Sequence, residues 1–102
     1  MAQNPLVPRY GGNASVLNVT ASTVIKATPG TVFRVVVKTA ATAGTFGVYD
    51  AATTGAAAAS NAIVLATASW PAVGTVFTLE WPCAAGIVVN PGTGGTVAVS
   101  YA

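Results

Sequence analysis

Short runs of residues that alternate between apolar and polar side chains constrain this fold more than any other feature of the sequence. In residues 31–38, Phe33, Val35 and Val37 fall on one side of an extended strand, and Arg34 falls on the other. A period of two residues is typical of a strand with one buried and one exposed face. We therefore predict a strand in which Phe33, Val35 and Val37 face the core.

Residues 75–81 alternate in the same way. Phe77, Leu79 and Trp81 share one phase of the pattern, and Glu80 belongs to the other. The same period predicts a second strand, with the three large side chains in the core and Glu80 pointing outward.

Residues 95–101 form the third clear run, with Val97, Val99 and Tyr101 on one face. The segment before it is rich in Pro, Gly and Thr, which are residues that favour tight turns. We therefore expect residues 87–89 to pair with this run as a β-hairpin.

Weaker candidate strands contain the same Val, Thr and Ala residues and are separated by Gly- and Pro-containing turns. They cover residues 15–20, 23–28, 45–50 and 62–67. Seven to eight short strands at this spacing predict an all-β fold, either an antiparallel β-sandwich or a small jelly-roll-like barrel.

The alanine-rich residues 51–61 are the one place where a helix is plausible on composition. The Ala56–Ala59 run supplies about one turn, and an isolated helix needs about 12 to 15 residues to be even marginally stable. We expect either a loop of small residues or a single helical turn.

Two parts of different character make up the chain. Residues 1–13 contain Pro5 and Pro8 followed by Gly-Gly-Asn, which predicts an extended arm. Residues 14–102 are expected to form the sandwich. The side chains of the arm must lie on the domain itself, cover a neighbour or stay disordered, and four of them are candidate interface residues: Leu6, Val7, Arg9 and Tyr10.

Charged residues make up only 6% of the 102 residues, and histidine is absent. General acid–base catalysis, metal coordination and phosphate binding depend on such side chains. Asp50 and Glu80 are the only carboxylates and are interpreted as scattered surface acids, and Cys83 as a small buried residue. We expect no enzyme activity, no catalytic residues, no metal site and no cofactor.

The four cations lie in separate segments or alternate along one strand, whereas nucleic-acid binding needs a cluster of phosphate contacts. No apolar run approaches the ~18 residues of a membrane helix. We therefore expect neither nucleic acid nor membrane as a partner.

Trp70 precedes a proline at a predicted strand end. A partly exposed tryptophan in such a place can anchor an interface, pack at the rim of the core, or stack on a sugar. We interpret Trp70 as an interface or core-rim residue.

Outward strand positions are largely Thr, Ala, Val and Ser. Soluble monomers usually carry about 25–35% charged residues at the surface, which opposes association. A weakly charged β surface is expected to be covered by other subunits. The sequence therefore predicts a homo-oligomer, either a trimer or a larger ring.

Several segments resemble one class of protein: Pro-Gly-Thr-Val-Phe at 29–33, Val-Tyr-Asp at 48–50, Gly-Ile-Val-Val-Asn-Pro-Gly-Thr-Gly at 86–94 and Val-Ala-Val-Ser-Tyr at 97–101. Residues 29–102 are similar to the small Ala/Gly/Thr/Val-rich β domains of tailed-bacteriophage virions. The resemblance implies a structural role, but no particular position in the particle and no functional residues.

Our hypothesis is a capsid-decorating or cementing protein of a virion, assembled in the host cytoplasm. Its partners would be further copies of itself and a major capsid protein or another virion protein. The arm, through Leu6 to Tyr10, would dock on the capsid shell or on a neighbouring subunit. The alternative is a receptor- or carbohydrate-binding module of a phage fibre or adhesin, with Trp70 and nearby loops as the site.

Overall fold

The computed structural model describes residues 14–102. Eight β-strands account for most of these residues, and two short 3₁₀ turns, Thr54–Ala56 and Ala59–Asn61, interrupt the longest loop. The strands are β1 Ala14–Val19, β2 Thr23–Lys26, β3 Gly30–Thr39, β4 Ala43–Asp50, β5 Ala62–Ala66, β6 Val76–Cys83, β7 Ile87–Thr93 and β8 Thr96–Tyr101.

The strands form two four-stranded antiparallel sheets that pack face to face. Sheet I has the order β1-β8-β3-β6, and sheet II has the order β2-β7-β4-β5. Most connections cross from one sheet to the other, which gives the double Greek-key order of an eight-stranded jelly roll. The predicted all-β sandwich is confirmed, and all four weaker candidate strands are present within a few residues of their expected limits.

One predicted pairing is wrong. β7 and β8 belong to different sheets, so they do not form a hairpin. β7 pairs with β2 and β4, and β8 pairs with β1 and β3. The turn between them contains Gly92 and Gly94 at positive φ, and the same residue types serve a turn that crosses between sheets as well as a hairpin turn.

The core lies between the sheets and consists mainly of valine. Alternation identified Val35, Val37, Val97 and Val99 correctly, and all four are at most 3% exposed. Further buried core residues are Val19, Val32, Phe46, Val48, Cys83, Ile87 and Val89. The predicted core residues Phe77, Leu79 and Tyr101 are partly buried and pack against this cluster.

The predicted core positions of Phe33 and Trp81 are both wrong, for different reasons. The pairing of β3 with β6 shifts between Val32 and Arg34, so that Phe33 lies opposite two residues of β6. Such a bulge resets the alternation of side chains. Val32 becomes the buried residue, and Phe33 is only half-buried. Trp81 keeps the inward phase, because it is paired with Val32, but it lies at the open edge of the sandwich and is 50% exposed.

The alanine-rich loop covers the outer face of sheet II. Tyr49, Ala51 and Val88 are buried there in a second, smaller cluster, and Ala57 and Ala62 pack against it. Small side chains let a loop lie close to the sheet, so this segment covers part of β4 and β7. The loop contains two single 3₁₀ turns, which agrees with the prediction of a loop of small residues or a single helical turn.

Candidate functional site

Within residues 14–102, no loop covers the outer face of sheet I in the way that the alanine-rich loop covers sheet II. Its central side chains form an apolar row, in which Ala98, Val36 and Val76 are neighbours across β8, β3 and β6. Leu17 lies in the β1 bulge opposite β8. Leu17 is 65% exposed and Val76 is 51% exposed. We call Leu17, Ala98, Val36 and Val76 the apolar row.

Cations stand on both sides of the apolar row. Arg34 is paired with Thr78 and Ser100 on one side. Lys38 lies on the other side, where its Nζ donates to Asn18 Oδ1 at 2.6 Å and to the Leu17 carbonyl at 3.3 Å. This face therefore combines exposed apolar area with positive charge.

Asp50 ends β4 and holds the β6–β7 loop. Its Oδ2 accepts from the Ala84 amide at 2.9 Å, and its Oδ1 accepts from the amides of Ala85 at 2.8 Å and Gly86 at 3.4 Å. The Ala84 bond, followed by the Ala85 bond, lowers the pKa of this carboxyl. Asp50 was interpreted as a scattered surface acid, but it is a structural anchor that is ionised at neutral pH.

The loop held by Asp50 also requires a glycine at position 86. A Cβ at Gly86 would lie 2.6 Å from the carbonyl oxygens of both Ala51 and Lys26. Only glycine lets three backbone segments approach this closely.

An open cleft of about 380 Å³ lies beside Asp50, where the edge strands β5 and β6 leave the sandwich open. Trp81 forms its aromatic wall. The other lining residues are Asp50, Ser60, Asn61, Ala62 and Ile63.

The amide of Asn61 shapes the same region. Its Oδ1 accepts from the Ala58 amide at 2.9 Å, and its Nδ2 donates to the Ala56 carbonyl at 2.9 Å. Both bonds fix the alanine-rich loop at the edge of the cleft.

Trp70 is half-buried and packs against the core. Its indole Nε1 donates to the Gly44 carbonyl at 3.1 Å, so it lies at the rim of the core. Its role as an interface residue stays a prediction. The other predicted interface residues, Leu6, Val7, Arg9 and Tyr10, lie outside the described residues.

The sulfur of Cys83 is enclosed between the sheets, as its interpretation as a buried residue predicted. Burial raises the pKa of the Cys83 thiol to about 11, and the negative charge of Asp50 adds to this effect. The thiol is therefore protonated at neutral pH and is a poor nucleophile.

Among residues 14–102 no three potential metal ligands of the His, Cys, Asp or Glu type come together. The same part of the chain contains no helix of the length and hydropathy needed to cross a membrane.

The alternation pattern alone did not reveal Trp81 or the apolar row as candidate site residues. The scarcity of charge did indicate an exposed apolar face, but it did not show which sheet carries it. Comparison of the chain with protein families, with curated proteins and with solved structures found no match.

Proposed function

We propose that this protein is a non-enzymatic structural subunit of a tailed-phage virion, a capsid-decorating or cementing protein that assembles through the outer face of sheet I. The observation that carries the proposal is the apolar row. Exposed contiguous apolar surface is a mark of protein–protein contact, because solvent exposure of such surface is unfavourable and promotes association. The jelly-roll architecture also occurs in viral capsid domains, which is an argument from fold alone.

Charge favours a ring over a two-fold dimer. In a two-fold contact each apolar row would meet its own copy, and the Arg34 and Lys38 side chains of both subunits would lie close together. Like charges placed opposite each other are destabilising. A ring is built from heterologous contacts, in which a different surface of the neighbour packs against the apolar row. Glu80 is exposed on edge strand β6, and its carboxylate can pair with a cation of the neighbour.

The alternative of a carbohydrate-binding module built around Trp70 receives no support from the position of that residue. Its indole N–H is already bonded to a backbone carbonyl, and its ring packs against the core. We therefore retain the structural role as the proposed function.

Light scattering after size-exclusion chromatography tests the assembly. The purified full chain is expected to elute as a trimer or a larger ring. Leu17→Asp combined with Val76→Asp places two carboxylates in the row and is expected to yield monomers, because a desolvated unpaired charge opposes association.

Leu65→Asp is the matched control. Leu65 is 44% exposed and lies on the outer face of sheet II, opposite Gly47, so this variant should keep the wild-type mass. A wild-type chain that stays monomeric at high concentration would contradict the proposal, as would an oligomer that persists in the double variant.

The predicted arm calls for a separate experiment. Deleting residues 1–12 is expected to abolish attachment to capsids while the far-ultraviolet circular dichroism of the domain is unchanged. Attachment at the wild-type level after deletion would show that the arm is not the docking element.

A further inference from the structure

We propose that the cleft between β5 and β6 is a binding site for a neutral sugar, with one pyranose ring stacked on Trp81. This inference goes beyond the proposed structural role and does not depend on it. The cleft volume of about 380 Å³ falls within the range of about 300–1,000 Å³ that is usual for small-molecule sites.

The aromatic wall is the first argument. Trp81 is paired with Val32, which is fully buried, yet half of its own surface is exposed. The indole therefore follows the inward direction of the sheet and reaches the open edge of the sandwich without being covered. A large aromatic face at a concave edge is a ready surface for the C–H face of a sugar ring.

The backbone before Trp81 has an uncommon conformation. Glu80 has a φ of +48°, which is the left-handed region where a residue other than glycine is disfavoured by about 1–2 kcal/mol. This conformation belongs to the bulge that redirects the strand toward Trp81. Bulges frequently re-aim a side chain beside a binding site.

Polar groups face the same cleft. Asp50 is ionised, and three backbone amides hold it in place. A carboxylate has about four lone-pair sites, so Oδ2 retains an acceptor position for a sugar hydroxyl. Ser60 adds a hydroxyl that can donate or accept a hydrogen bond. Bonds to an ionised acceptor are the stronger kind.

Charge selects the ligand class. None of the residues that line the cleft in the described part of the chain is a lysine or an arginine, and Asp50 contributes a negative charge. Phosphates and acidic sugars would be repelled. Ala62 and Ile63 supply apolar contact, so the lining fits a neutral molecule with one apolar face and several hydroxyls.

Titration of the ¹⁵N-labelled full chain with methyl glycosides of glucose, galactose, mannose and N-acetylglucosamine, followed by NMR, tests the proposal. The Trp81 indole N–H resonance is expected to shift and saturate with at least one sugar, with a dissociation constant of about 1 mM. Sialic acid and adenosine monophosphate serve as anionic probes and should cause no shift.

Substitutions distinguish the loss of sugar stacking on Trp81 from a general loss of folding. Trp81→Leu removes the aromatic face and should weaken binding by about tenfold, whereas Trp81→Phe keeps a ring and should retain most of the affinity. Ser60→Ala changes one exposed hydroxyl and should weaken binding by a few-fold. Leu65→Ala, on the outer face of sheet II, should bind as the wild type does.

Three results would overturn the site. The first is no saturable shift with any of the four glycosides. The second is equal binding by wild type and Trp81→Leu. The third is a fall in oligomer mass in Trp81→Leu without any sugar effect, which would assign Trp81 to a subunit contact. Loss of the apolar-row oligomer with sugar binding intact would affect the proposed structural role alone.

Discussion

The outer faces of the two sheets are made of similar residues but differ in their exposure to solvent. On sheet II, Tyr49 and Val88 are buried beneath the alanine-rich loop. On sheet I, Leu17 and Val76 of the apolar row are more than half exposed. The difference lies in the connections, because the longest loop of the domain follows β4 and folds back over its own sheet.

This contrast shows how a chain with few charges divides its apolar surface. One face is covered by a loop of small residues from the same chain, and on the other face, within the described residues, large apolar side chains stay exposed. The same residue type therefore contributes to the stability of the domain on one face and, under the proposed function, to assembly on the other. Substitutions on the two faces distinguish these contributions.

Tyr49→Ala should have the largest effect. Removing a buried aromatic side chain typically costs about 3–5 kcal/mol, and we expect about 3 kcal/mol here because the cluster under the loop is small. Urea unfolding followed by fluorescence measures the loss, and limited proteolysis should then cut within residues 51–61. A loss below about 1 kcal/mol would mean that the loop does not seal this face.

Asp50→Asn should lower the free energy of unfolding by about 2 kcal/mol at neutral pH, since bonds to a charged acceptor contribute about 1.5–3 kcal/mol. The β6–β7 loop that Asp50 holds lies beside Ala51, where the covering loop begins. The variant thus tests whether the covered face depends on this anchor.

The pH dependence provides the internal control for Asp50. Its pKa in the folded protein is below the ordinary value of 3.8, so the stabilisation is fully present above that value. It is lost as the pH falls through the folded pKa. Wild type and variant should therefore converge in stability as the pH falls below 3.8, and a difference that stays constant as the pH is lowered through this range would contradict the assignment.

Asn61→Ala should have a smaller effect, about 1 kcal/mol, because it removes two hydrogen bonds at an exposed loop. Hydrogen exchange of the Ala58 amide, which donates to the Asn61 side chain, should accelerate. Unchanged exchange would show that the loop is held by apolar contact with Tyr49 and Val88 alone.

Val36→Thr on the apolar row should have the smallest effect, within about 0.5 kcal/mol in the dissociated subunit. Val88→Thr is its matched partner on the covered face. There the new hydroxyl is buried among apolar groups, so a loss of about 2 kcal/mol is expected. Equal losses at the two positions, measured by urea unfolding at low protein concentration, would abolish the contrast between the faces.

Strand positions were predictable from sequence because alternation is a local property. Val35 and Val37 were assigned to the core correctly on this basis. Phe33 was not, because the bulge opposite it contains a left-handed Glu80, and glutamate carries no signal for that conformation. Trp81 keeps its predicted inward phase but lies at the open edge of the sandwich, which alternation does not show. The partner of each strand was also beyond local reasoning, as the misassigned β7–β8 hairpin shows.

The candidate sites were predictable only in part. Scarce charge indicated an uncovered apolar face, but the covering of sheet II by a loop is a tertiary event. Trp70 and Trp81 both precede a proline, and nothing local distinguishes the one that bonds to Gly44 from the one that lines a cleft. Asp50 resembled a solvated acid, because its three amide donors come from a loop far along the chain.

The position of β8 affects how quickly the domain can form. β8 is the last of the eight strands along the chain, yet it lies between β1 and β3 in sheet I, and Ala14 pairs with Tyr101. Domains dominated by contacts between distant segments fold in milliseconds to seconds, slowly for their size. On the ribosome, β1 must wait for almost the entire domain to be synthesised before its partner exists. Sheet I, and the apolar row with it, is therefore completed only after β8 has emerged and the rest of the domain has been synthesised.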